Sequence, residues 1–195
     1  MLTIVWDVDD VLNDLMLQWF SHCWLAKRPD CALKYRELTS NPPHAILEIS
    51  RDEYLASLDE FRKTNRALEM EPNREVLQWM RQHGEQFRHI ALTARPLDSA
   101  PSVAEWVLRH FGAWIRCVGV VHTREDDRFP AYDRTKGEFM EWLQCGDIMV
   151  DDSAENVRQG QSRGMKTLLY PQPWNESSLT VEALLDELTK MAVSS

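Results

Sequence analysis

Five short apolar runs limit what this chain can become. They fall at residues 2–6, 89–92, 117–121, 148–150 and 167–170. Each is too short for a helix and lacks the polar alternation of a half-exposed strand. Continuous runs of this kind fit strands covered on both faces of a sheet. Helical periodicity separates them: Val76, Leu77, Trp79 and Met80 share one side of 75–83, and Val103, Trp106, Val107 and Phe111 share one side of 102–111. The pattern recurs with Phe139, Met140 and Trp142 in 136–143, and with Leu184, Leu185 and Leu188 in 181–191. Strands alternating with helices imply parallel strands. The expected fold is therefore α/β, a Rossmann-like three-layer arrangement around a central parallel sheet. Acidic residues follow directly after strands, at the carboxyl edge where open α/β sheets bind ligands.

Residues 13–74 break this rhythm, because they hold no convincing strand. Helices are expected over 15–24 and 51–62, with a turn at Asn41-Pro42-Pro43 between them. Ser50-Arg51-Asp52-Glu53 has the form of a capping box opening the second helix. A helical excursion inside an α/β sheet suggests a small cap inserted after the first strand. The expected division is a core of 1–12 and 75–195 and a cap of 13–74. Ordinary surface helices are the alternative.

Composition narrows the function classes. A net charge of −9 argues against binding to a nucleic-acid polymer, which normally needs a basic face. It leaves small anions open, because one metal ion reverses the local field. Cys23, Cys31, Cys117 and Cys145 form no Cys-x-x-Cys pair and read as reduced thiols of a cytosolic protein. No apolar run approaches the roughly 20 residues of a membrane span. The chain opens directly on a strand-like run, without the pattern of a leader. A cytoplasmic protein with no membrane partner is expected.

Four groups carry candidate chemistry. Asp7-Val8-Asp9 ends the first strand, and two adjacent carboxylates at the end of a buried strand disfavour each other's ionisation. A divalent cation with a taste for hard oxygen ligands, such as magnesium, resolves the conflict. Taken alone, the pair fits a capped turn equally well. Thr93, in Leu92-Thr93-Ala94-Arg95-Pro96, offers a hydroxyl and following N–H groups to a phosphate oxygen, although a plain strand-to-loop turn reads the same way. Lys136 opens a helix and is suited to neutralising phosphate charge, although most single lysines are simply solvated. Asp151-Asp152 ends the fourth strand, with Asn156 one helical turn later; a capped helix start is the alternative.

In this order and at these strand ends, Asp-x-Asp, Thr, Lys and Asp-Asp together resemble the four motifs of the haloacid dehalogenase superfamily. The resemblance covers nearly the whole chain. It implies Asp7 as the nucleophile that forms an aspartyl-phosphate, and Asp9 as the general acid and later base. It implies that Thr93 and Ala94 hold the phosphoryl group and that Lys136 pairs with Asp7 and the phosphate. Arg95 is a candidate contact to the substrate phosphate or a second anionic group, and equally fits a cap on a carbonyl or a pair with an acid. Mg2+ would be held by Asp7, the Asp9 carbonyl and Asp152, with Asp151 in support. The implied activity is a magnesium-dependent phosphate-monoester hydrolase. Asp10 departs from the Gly common among relatives, which puts the local backbone in question.

Three segments also resemble the 5'(3')-deoxyribonucleotidase-like branch: 7–14, Leu92-Thr93-Ala94-Arg95-Pro96, and Tyr170-Pro171-Gln172-Pro173-Trp174-Asn175. The implied partner is a small phosphorylated metabolite, in this branch a nucleoside monophosphate. Trp19, Phe20, Trp24, Tyr54 and Phe61 are candidate contacts to a base or sugar, and each also fits the apolar core of a helical cap. Other readings are a phosphatase of another metabolite such as a sugar phosphate, a phosphotransferase, and a phosphate-binding regulatory module without turnover.

Overall fold

The computed structural model describes residues 1–122 and 129–193. Residues 123–128 and 194–195, inside the expected core segment, lie outside the described residues. Five parallel strands form one sheet: β1 (Thr3–Trp6), β2 (Arg88–Thr93), β3 (Ile115–Val120), β4 (Ile148–Asp151) and β5 (Lys166–Leu169). All five expected strands are present, in the order β3-β2-β1-β4-β5. β1 is central, with Ile4 opposite both His89 and Ile148. Its Ile4, Val5 and Trp6 are fully buried, as a strand covered on both faces requires. The chain builds outward from β1 through β2 to β3, then returns to β4 on the other side. The carboxyl ends of β1 and β4 therefore flank the point where strand order reverses, which is where open sheets leave a crevice.

The helices run in chain order as α1 (Leu15–Trp19), α2 (Leu25–Lys27), α3 (Arg51–Arg62), α4 (Asn65–Leu68), α5 (Arg74–His83), α6 (Ala100–Phe111), α7 (Lys136–Leu143), α8 (Ala154–Ser162) and α9 (Val181–Val193). The single helix expected over 15–24 instead passes from α1 into a π turn over Phe20–Trp24. α3 starts where expected, but its capping box is half formed. Ser50 Oγ accepts the Glu53 N–H (3.1 Å), while the Glu53 carboxylate pairs with Arg28 (3.1 Å).

Apolar burial separates two regions. Strands β1 to β4 pack with α5, α6 and α9 through residues such as Trp6, Trp79, Trp106, Phe111 and Leu188. Residues 15–70 close over a cluster of their own, built on Trp19, Phe20, Trp24, Tyr54, Leu58 and Phe61. The chain enters that region after Leu12 and leaves it at Asn73, and the Asn73 N–H donates to the Leu12 carbonyl (2.7 Å). Among the described residues, no helix is long and apolar enough to cross a membrane.

Candidate active site at the carboxyl edge

The site is built outward from the end of β1. The Asp7 N–H donates to the Val150 carbonyl (2.9 Å), so the backbone keeps strand register one residue past Trp6. A tight loop follows, in which the N–H groups of Leu12 and Asn13 converge on the Val8 carbonyl (3.0 and 3.2 Å). Asp10 lies in this loop at φ 63°, the left-handed region that Gly enters without steric cost. Asp enters it more readily than most residues, because its short side chain bonds locally. Here the Asp10 carboxylate accepts the Met16 N–H (2.8 Å), in the first turn of α1. The backbone thus takes the conformation Gly favours, and the aspartate adds a tie to the next helix.

Asp7 Oδ1 accepts the Val8 N–H (2.6 Å) and the Lys136 ammonium (2.7 Å). Lys136 begins α7, whose first turn is capped by Thr135 accepting the Glu138 N–H (3.1 Å). The same ammonium lies 2.7 Å from Asp151 Oδ2. The other Asp151 oxygen accepts from the Ser153 N–H (2.9 Å) and from Asn156 Nδ2 (3.0 Å). Asp152 Oδ2 accepts the Trp174 indole N–H (2.7 Å). One oxygen each from Asp7, Asp151 and Asp152 lies within 4.8 Å of the others, and all three residues are buried.

One ammonium cannot balance three buried carboxylates. Burial lifts the Asp7 carboxyl well above its usual range, Lys136 pulls it back, and Asp151 and Asp152 raise it further. Asp152 is pushed up to about 8 by burial, then by Asp151 and Asp10, against Lys136 and the Trp174 N–H. Burial alone would lower Lys136, but Asp151 and Asp7 outweigh it and hold the ammonium charged beyond its usual range. The excess of negative charge among hard oxygen donors fits a divalent cation of the magnesium type.

Asp9 has different partners. Arg95 Nε donates to its Oδ2 (2.8 Å), Arg95 Nη2 bonds its Oδ1, and Arg62 Nη2 donates to Oδ2 (3.1 Å). Burial would raise this carboxyl, but Arg95 and then Arg62 and Asn13 outweigh it and hold Asp9 well below the ordinary carboxylate range. In this arrangement Asp9 is an ionised acceptor. Acting as an acid requires a guanidinium to withdraw. Of the readings of Arg95, the pairing with an acid is the one this arrangement shows, and the acid is Asp9.

A cavity of about 1040 Å³ opens above these groups, with Asp7, Asp9, Thr93, Ala94, Lys136 and Asp152 in its wall. α3 faces it with Arg51, Tyr54, Leu55, Leu58 and Arg62. That spacing is one stripe of a helix, apolar in the middle with a cation at each end. Of the five aromatic candidates, Tyr54 lines the cavity, while Trp19, Phe20, Trp24 and Phe61 pack in the 15–70 cluster. Arg62, Asn13, Gln172, Trp174 and Asn175 also bond the site's residues, and no local pattern marks them for it. The usable signals were the eleven-residue interval from Arg51 to Arg62 and the 170–175 tail.

No model of a known protein family matches the sequence, and no curated protein matches it. Solved structures share the fold. A haloacid dehalogenase-like protein of unknown function from Agrobacterium tumefaciens is similar with TM-score 0.64 at 12% identity, covering 98% of each chain. A haloacid dehalogenase-like family hydrolase from Streptococcus pneumoniae gives 0.61 at 12%, covering 95% of this chain and 90% of that one. A candidate hydrolase of the same type from Bacillus subtilis, solved with magnesium bound, gives 0.60 at 16%, covering 98% of each. At such identities the likeness establishes the haloacid dehalogenase-like fold.

Proposed function

We propose that this chain is a magnesium-dependent phosphate-monoester hydrolase of the haloacid dehalogenase superfamily, acting through an aspartyl-phosphate on Asp7. The observation that carries the reading is the meeting of Asp7, Lys136, Asp151 and Asp152 at the point where strand order reverses, with Asp7, Lys136 and Asp152 in the wall of one cavity and Asp151 buried behind it. A phosphoryl group seated on Asp7 has Thr93 and the N–H groups after it for its oxygens, and Lys136 for its charge. Phosphoryl transfer needs mainly such positioning and charge stabilisation.

An Asp7 oxygen attacks phosphorus, the bond from phosphorus to the leaving oxygen breaks, and that oxygen takes a proton from Asp9. Water then gives a proton to Asp9 and attacks phosphorus, the bond to Asp7 breaks, and phosphate leaves. With both guanidiniums on it Asp9 is ionised but a weak base, so each role requires the clamp to loosen. Arg95 is the stronger of the two partners, and Arg62 belongs to the 13–74 segment, which we read as a cap, so movement of that segment would remove one of the two cations. Asp7, the Asp9 carbonyl and Asp152 would hold Mg2+, with Asp151 in support through water or an outer-shell contact. Bound there, the cation lets the carboxylates ionise together and draws charge from the phosphoryl oxygens.

The finer reading is a 5'(3')-deoxyribonucleotidase, with the base or sugar against Tyr54, Leu55 and Leu58. Arg51 at the outer end of that stripe favours a second reading, a more polar metabolite such as a sugar phosphate. The expected result is magnesium-dependent release of phosphate from an aryl phosphate. Magnesium binding without turnover on any monoester would remove the hydrolase reading. Sugar phosphates turned over as fast as deoxynucleoside monophosphates would remove the nucleotidase one. Product appearing on an added alcohol instead of water would identify a phosphotransferase.

Magnesium affinity is also expected to depend on pH, with a definite sign. Asp152 ionises in the ordinary carboxylate range, about 3.9, when unfolded and is pushed up to about 8 in the metal-free fold. The native state therefore holds more protons between those values, and metal-free stability declines as pH rises through that window. A cation must displace the protons, so its affinity rises roughly tenfold per pH unit per proton up to about pH 8, then levels. Calorimetry at pH 6 to 9 measures this, and a flat profile would contradict the assignment of Asp152 as a ligand.

A further inference from the structure

The tail after β5 does more than lead into α9. We infer that Trp174 is a positioning residue for the metal carboxylate Asp152, and that it ties that carboxylate to the cap. The inference rests on the reading of Asp152 as a magnesium ligand.

Two contacts converge on the 152 position from this tail, and a third ties the tail to itself. The Trp174 indole N–H donates to Asp152 Oδ2 (2.7 Å), and Asn175 Nδ2 donates both to the Asp152 carbonyl and to the Tyr170 carbonyl (2.8 Å each). Side chain and backbone of Asp152 are thus held from one short segment. Among the described residues no protein donor is seen on Asp152 Oδ1, so the indole claims one oxygen and leaves the other for a cation. A donor on the outer oxygen fixes the rotation of a ligating carboxylate, and losing such a partner typically costs ten- to a hundredfold in metal affinity.

The other end of the tail reaches the cap. The Trp174 ring packs against the 15–70 cluster and meets Tyr35 edge-on, with ring centres 6.2 Å apart. Tyr35 donates its hydroxyl to Gln172 Oε1 (3.1 Å), and Gln172 Nε2 donates to the Asp10 carbonyl (2.7 Å) in the loop after Asp7. One indole therefore touches cap apolar surface on its ring and the metal carboxylate on its nitrogen. A shift of the cap against the core moves the donor that holds Asp152.

The test compares magnesium titrations, by calorimetry on the full chain, of wild type, Trp174→Phe and Asp152→Asn, with melting temperatures taken in chelator. Trp174→Phe keeps a ring against Tyr35 and drops the N–H. The expected result is a magnesium Kd about tenfold weaker or more, with the metal-free melting temperature nearly unchanged. An unchanged Kd in Trp174→Phe, beside a severe loss in Asp152→Asn, overturns the role of Trp174 and leaves the metal reading standing. An unchanged Kd in Asp152→Asn overturns the metal reading itself. Should Trp174→Phe also melt early, Trp174→His returns a ring N–H: recovered affinity supports the hydrogen bond, and unrecovered affinity overturns it.

Discussion

Asp7→Asn is expected to reduce phosphate release by at least about a thousandfold, as removal of a covalent nucleophile does, while the protein stays folded. The amide has nearly the same shape and can still accept the Val8 N–H that Asp7 Oδ1 accepts at 2.6 Å. What it lacks is the charged oxygen that bonds to phosphorus. The substitution does not strand Lys136, whose ammonium keeps Asp151 at 2.7 Å. It also removes one of the charges that crowd Asp151 and Asp152. Metal-free stability near pH 8 should therefore hold or rise, while magnesium binds more weakly for want of one ligand oxygen. Steady-state assays, chemical denaturation and acid-quenched labelling with radioactive phosphate read the three parts separately. Label retained on the Asn protein would place the nucleophile elsewhere. Lost activity accompanied by unfolding would mean that Asp7 serves the fold before the chemistry.

The parts of this molecule legible in sequence are those set by local pattern. β1, β2 and β4 are legible as buried runs such as Ile4-Val5-Trp6 and Ile148-Met149-Val150, with no polar alternation to confuse them. β3 and β5 stand at the sheet edges and are only partly buried, short of the two-sided cover that their apolar runs predict. α8 is not legible. Ala154–Ser162 buries Val157 and Gly160, too little for a periodic stripe. The helix packs closely because a side chain at Gly160 would lie 3.0 Å from Met149 and Thr167. Absence of a side chain is the signal there, and a hydrophobic count does not register it.

The site divides in the same way. Asp7, Thr93, Lys136 and Asp151-Asp152 were visible because each stands at the end of a readable strand or the start of a readable helix. The residues that govern them come from elsewhere in the chain. Arg62 reaches Asp9 across 53 positions and Trp174 reaches Asp152 across 22. Such long pairings depend on how two packed regions meet, which composition and periodicity do not encode. Arg95 shows the same limit at closer range. Its place after β2 was readable, but its choice of Asp9 was decided by a buried carboxylate that needed a cation.

Lys136→Met is expected to be the most destabilising single change in the site, by about 3–5 kcal/mol without metal, because it breaks a buried ion network from one side. The lysine is 2% exposed, and its partners Asp7 and Asp151 are 8% and 0% exposed. Methionine fills similar space, so little of the loss should come from packing. The loss comes from two buried carboxylates left without their cation. The lysine's pKa is raised by these partners, so its contribution is complete below the unfolded value of about 10.4 and falls only as pH climbs through the higher folded value. Across pH 6 to 9 the deficit should therefore not shrink because the lysine deprotonates. It should shrink toward low pH, where Asp7 and Asp152, both raised, take up protons instead. Saturating magnesium should recover part of the deficit, since it supplies positive charge to the same oxygens. Urea melts at pH 5 and pH 8, with and without magnesium, separate these effects. A deficit that ignored both pH and metal would assign Lys136 to packing alone, and would remove the charge balance on which the reading of Asp7 as nucleophile depends.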